Sequence, residues 1–105
     1  MAYSKEDVLN LIKRFRKNIE GVVHPDHVFL FGSYALGKAK EYSDIDVAII
    51  SSDITDENYF DLKKKIFKKA MEIDSYLEPL CFSEDEFDND LLPIVIEIKR
   101  NGIEV

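Results

Sequence analysis

Apolar positions along this chain follow two periods, and the switches between them lay out its elements. From Ser4 to Gly21 they recur at helical spacing, at Val8, Leu11, Ile12, Phe15 and Ile19. Ser4 with Asp7 three residues on has the form of a capping box. The spacing therefore predicts an amphipathic helix ending near Glu20-Gly21. Pro25 and Asp26 mark a turn, and His27 to Phe31 reads as a short buried strand. Gly32 to Gly37 is a tight turn with room for one helical turn, and Gly37 is a natural stop. Lys38 to Ser43 is a polar loop. Asp44 to Ile50 becomes almost wholly apolar after its two acids, which predicts a strand inside its sheet.

Ser51 to Asn58 is polar and predicts a loop. Tyr59 to Ile73 predicts a second long helix, with Leu62, Ile66, Phe67 and Ala70 on one face. Tyr76 to Phe82 is a third strand. Ser83 to Glu86 is another capping box opening a short helix. Leu91 to Arg100 is a last helix with Pro93 in its first turn, where proline is tolerated. Asn101-Gly102 ends it, and Ile103 to Val105 offers an edge strand. The order of elements predicts an α/β (α+β) domain, a small mixed sheet with helices packed on it, over residues 1–105. At 105 residues the chain buries one core and leaves no room for a separate substrate domain.

Chemistry concentrates in one stretch. The strand ending at Phe31 runs into Gly32-Ser33, a pair able to wrap a phosphate. By itself Gly-Ser is an ordinary helix cap. Eleven residues on, Asp44 and Asp46 open the next strand at i and i+2. Alternation points both to one face, roughly 6–7 Å apart. Carboxylates that close repel each other unless a cation sits between them. A turn cap explains Asp44 alone, but it does not explain two acids on one face leading into Val47-Ala48-Ile49-Ile50. A phosphate cradle beside paired carboxylates is what metal-assisted phosphoryl transfer requires.

Gly32-Ser33 followed by Gly37, a short spacer and Ser43-Asp44-Ile45-Asp46 resembles the nucleotidyltransferase signature G-S-x-x-x-G…S-D-x-D of the polymerase beta-like superfamily. The small size resembles its minimal nucleotidyltransferase (MNT) group, often the antitoxin of a pair with a HEPN-domain toxin. Leu36 stands where many minimal members carry arginine. The resemblance implies the nucleotidyltransferase fold, with the active site at the ends of the Phe29 and Val47 strands. It also implies Mg2+ held by Asp44 and Asp46, outer phosphates held by Gly32 and Ser33, and a nucleoside triphosphate, ATP first, as donor. Superfamily members use a third carboxylate on a neighbouring strand. Glu78 and Asp74 share the required parity. An acid inside an apolar strand is costly without a partner, which favours Glu78 over the turn residue Asp74 as metal ligand and catalytic group.

The expected function is magnesium-dependent transfer of a nucleoside monophosphate, AMP from ATP, to an acceptor such as a HEPN toxin. Two other readings stay open: a non-catalytic antitoxin-like binding module, and a small-molecule nucleotidyltransferase acting as a homodimer. The remaining residues narrow this little. The formal charge of −7 argues against a nucleic-acid surface. The basic clusters Lys13–Lys17 and Lys63–Lys69 read as solvated helix faces. Cys81, the single cysteine, reads as a core thiol. Tyr34 and Tyr42 flank the motif as exposed loop tyrosines, and His24 and His27 read as turn residues. Ser43 reads as a loop hydrogen bonder. No apolar signal segment opens the chain and no run approaches ~18 apolar residues, so no membrane span and a cytoplasmic location are expected.

Overall fold

The structure, a computed structural model, describes residues 3–105. Its elements run α1 (Lys5–Asn18), β1 (His27–Phe31), β2 (Ile45–Ile50), α2 (Tyr59–Ile73), β3 (Leu77–Phe82), α3 (Glu84–Asp88), α4 (Pro93–Asn101) and β4 (Ile103–Glu104). The four strands form one mixed sheet in the order β3-β2-β1-β4. β2 pairs antiparallel with β1 and parallel with β3, and β4 pairs antiparallel with β1. α2 is the crossover that the parallel β2–β3 pair requires.

Alternation along the strands builds a core on each sheet face. Val28, Leu30, Ile45, Val47, Ile49, Leu77 and Cys81 pack with Val8, Ile12 and Phe15 of α1 and Ile66 and Ala70 of α2. Phe31, Ala48, Ile50 and Phe82 pack on the other face with Phe87 of α3 and Val95 and Ile98 of α4. Asp46 is in step with Ala48 and Ile50, so it belongs to the second face, at the end where the apolar run gives out.

Local chemistry sets the element ends. The Ser4 side chain accepts from the Asp7 amide, acids fill the first turn of α1, and Arg16 and Lys17 lie in its last. Ser83 and Glu86 form a complete capping box at α3. Pro93 occupies the first turn of α4. Arg16 departs from a merely solvated face: its guanidinium donates to the Val105 carbonyl at 2.9 Å and the Pro25 carbonyl at 3.2 Å, tying α1 to the end of the sheet. Phe67 departs further. It is 53 % exposed, because Ile66 and Ala70 alone complete the buried stripe of α2. Burial pushes the Cys81 thiol up to about 11, which leaves it an inert core group. Among the described residues, no helix is long and apolar enough to cross a membrane.

Candidate active site

The site is assembled by strand register. Asp46 is the cross-strand partner of Phe31 on β1 and of Glu78 on β3. Register partners share a face, so Asp46 and Glu78 point the same way from adjacent strands. Asp44 lies just before β2 and is exposed, and its carboxylate approaches that of Glu78 closely enough to perturb it. The sheet thus brings together Asp44, Asp46 and Glu78.

The Phe31 end of β1 delivers the glycine turn to the same place. Gly32 has φ +72° and Gly37 has φ +70°, both in the left-handed region that favours glycine. The turn between them closes with the Leu36 amide on the Gly32 carbonyl (3.1 Å) and the Lys38 amide on the Ser33 carbonyl (2.9 Å). A Cβ on Gly32 would run into the Asp46 carboxylate. The two halves of the motif are therefore in direct contact, backbone against carboxylate. Ser43 shapes the intervening loop by accepting from the Lys40 amide at 2.7 Å.

Electrostatics at the site are those of crowded acids. Partial burial, then the negative charges of Glu78, Asp44 and Glu97, push Asp46 up to about 6. Side-chain hydrogen bonding with Asp44, then burial and the Asp44 charge, raises Glu78 above its ordinary value. Glu97, half-buried on α4 beside Val95 and Ile98, is a fourth acid that the sequence reading did not single out. Its signal is weak, since one acid on an amphipathic helix is ordinary and only the packing of α4 brings it near Asp46.

Other candidates fall elsewhere. Asp74 ends α2 and is occupied structurally: its carboxylate accepts from the Tyr3 hydroxyl at 2.6 Å and the Tyr76 amide at 2.8 Å. Parity alone did not separate it from Glu78; its place before β3 does. Tyr34 is not an exposed loop tyrosine. It is 7 % exposed in the core, with its hydroxyl accepting from the Tyr3 amide at 3.3 Å. Tyr42, 76 % exposed, is as expected. His27 begins β1 and its Nδ1 lies 2.7 Å from Glu104, away from the acids.

Comparison with known proteins decides the family. The family model for the nucleotidyltransferase domain matches residues 9–101. This chain belongs to the nucleotidyltransferase domain family. It is 30% identical over 105 residues to the protein named "Putative protein adenylyltransferase MJ0141" of Methanocaldococcus jannaschii, covering 94% of this chain and 99% of that one. The fold is similar to that of a crystal structure named "putative nucleotidyltransferase" from Sulfolobus solfataricus, with TM-score 0.60 at 20% identity over 99% of this chain and 87% of that chain. It is also similar to a chain of a toxin–antitoxin crystal structure with AMP-PNP, with TM-score 0.54 at 19% identity over 97% and 72% of the two chains. The likeness to these structures shows the mixed-sheet nucleotidyltransferase fold, and the family shows a nucleotidyltransferase.

Whether the residues suit a divalent metal can be asked of the geometry. Among the described residues, no three His, Cys, Asp or Glu side chains are grouped so as to hold a metal ion by themselves. Asp44 and Glu78 are turned to each other, and Asp46 lies against Gly32. The donor set is nonetheless all carboxylate oxygen, the kind magnesium prefers, and magnesium takes only one or two carboxylates when phosphates complete its shell. The residues fit a metal–triphosphate better than a bare ion.

Proposed function

We propose that this chain transfers AMP from ATP to a hydroxyl on a partner protein, with magnesium, and that residues 1–105 work as one domain. The observation that carries the reading is the register Asp46–Glu78 beside the Gly32 turn, which gathers three acids next to a backbone able to hold phosphate. The relative named for protein adenylylation supports a protein acceptor, and the fold neighbour in a toxin–antitoxin structure supports a toxin such as a HEPN-domain protein as that acceptor.

Asp44, Asp46 and Glu78 would hold magnesium. When bound, it supplies positive charge that offsets the phosphate oxygens. The Gly32-Ser33 turn binds the outer phosphates through backbone amides and the Ser33 hydroxyl. The acceptor oxygen attacks the α-phosphorus in line, the bond from that phosphorus to the bridging oxygen breaks, and pyrophosphate leaves. Glu78, exposed on β3, takes the acceptor's proton. A carboxyl raised above its ordinary value suits that role.

The test is incubation of the chain and a candidate toxin with ATP labelled at the α-phosphate, with magnesium or with chelator. Label on the toxin only with magnesium, and absent with Asp46→Asn, is the expected result. Labelled toxin with chelator present, or none with the wild-type chain and the chain's own toxin, would refute the reading.

A further inference from the structure

The outer face of α2 carries a second stripe that the fold does not use. Phe60, Lys63, Lys64 and Phe67 recur at i, i+3, i+4 and i+7. Phe60 is 75 % exposed and Phe67 53 %. Tyr59 meets Phe60 edge-on with ring centroids 5.5 Å apart. The stripe borders a groove of about 310 Å³ lined by Phe60, Lys63, Lys64, Phe67 and Pro79. Two large exposed aromatics beside a concave apolar surface are a common mark of a protein contact.

The charges on this stripe are unmatched in an acidic chain. Lys65 pairs with Asp61 at 3.0 Å, and Lys69 with Glu72 at 3.7 Å. Lys63 lies over the Tyr59 ring instead, at 5.8 Å from its centroid. Among the described residues, no carboxylate reaches ion-pair distance of Lys63 or Lys64. The formal net charge is −7, so the two cations stand out from their own surface.

We infer that this stripe docks an amphipathic helix of a partner protein, with apolar side chains seven residues apart and carboxylates between them. The spacing follows from α2 itself. Phe60 and Phe67 are separated by seven helical rises, about 10.5 Å. A partner helix with apolar groups at i and i+7 spans the same length, and acids at i+3 and i+4 then face Lys63 and Lys64. Strand addition is disfavoured here, because Pro79 lies inside the edge strand β3 and offers no N–H. A two-fold contact with a second copy would set lysine against lysine. Single-stranded nucleic acid also uses aromatic and basic side chains, but the −7 charge opposes a polyphosphate and the groove is apolar. The inference rests on the protein-partner part of the proposed function and not on catalysis.

The probe is a synthetic helix of about 20 residues, long enough to be helical in water. It carries leucine at i and i+7 and glutamate at i+3 and i+4. A second helix carries lysine at those two positions. Fluorescence anisotropy should show the acidic helix binding the wild-type chain and weakening at least about tenfold on the doubly substituted chains Phe60→Ser/Phe67→Ser and Lys63→Glu/Lys64→Glu. The basic helix should bind only the charge-reversed chain. That reciprocal swap stays readable if the serine variant is unstable. Equal binding of both helices, binding of neither, tighter binding of labelled oligothymidylate, or a wild-type dimer that the serine variant makes monomeric would each overturn the inference. None of these outcomes bears on whether AMP is transferred, so the two readings fail separately.

Discussion

The Asp46 carboxylate occupies the space that a side chain on Gly32 would need. This makes Gly32 a double requirement. Its φ of +72° strains any other residue, and its bare Cα lets the acid lie against the turn. Gly32→Ala is expected to cost about 1–2 kcal/mol from the left-handed backbone alone. It should also rotate Asp46 out of place, and a displacement near 1 Å can cost about 10²-fold in rate. Denaturant melts together with transfer kinetics check this. An alanine variant with full activity would mean that the turn and the acid are not coupled.

Crowding of Asp46 sets an expected pH dependence. Its pKa is pushed up to about 6 in the folded chain, above its unfolded value near the ordinary carboxylate range. The folded state therefore binds more protons across that interval, and stability falls as pH rises through it. Partial exposure of the group reduces the effect to about 1–2 kcal/mol between pH 4 and 7. In chelator, wild type should lose melting temperature over this range. Asp46→Asn should lose much less and melt at or above wild type at pH 7. Melting curves of both proteins from pH 4 to 7 provide the measurement, and identical slopes would remove the assignment.

Metal and nucleotide should bind together. The acids are turned toward one another and toward the backbone, and magnesium dehydrates reluctantly. Titration calorimetry should find weak magnesium binding alone and a much higher apparent affinity with a non-hydrolysable triphosphate present. Strong binding of the bare ion, indifferent to nucleotide, would contradict the phosphate-completed site.

Much of this arrangement was legible in the chain. Short apolar runs around Phe29 and Val47 placed β1 and β2, and the purely apolar Val47 to Ile50 correctly marked an inner strand. The pairing of Asp44 with Asp46 needed only alternation. What stayed hidden depends on packing between elements. Phe67 fits a helical stripe by spacing, but only the narrow contact of α2 with the sheet leaves it outside. Tyr34 sits in a turn, and nothing local says that the chain before α1 covers it. Glu97 comes near Asp46 only because α4 folds back over the second sheet face. Asp74 and Glu78 share parity, so the choice between them rests on where β3 begins.

That choice can be tested by two substitutions with opposite signatures. Asp74 receives two hydrogen bonds, from the Tyr3 hydroxyl and the Tyr76 amide, and the first of these, then burial, pushes the Tyr3 phenol up to about 12. Asp74→Asn weakens both bonds at the junction of α2, β3 and the start of the chain. It should cost about 1–3 kcal/mol, the range for hydrogen bonds to charged groups. Transfer measured well below the melting transition should persist. Glu78→Gln removes a crowded acid beside Asp44, so the fold should lose little or gain slightly. Turnover should fall by about 10²–10⁴-fold, the span of a lost general base. Triphosphate affinity should fall less, since in the proposed reading Gly32 and Ser33 hold the outer phosphates. Parallel kcat and melting measurements on both variants decide the matter: an inactive but stable Asp74→Asn, paired with an active Glu78→Gln, would reverse the assignment.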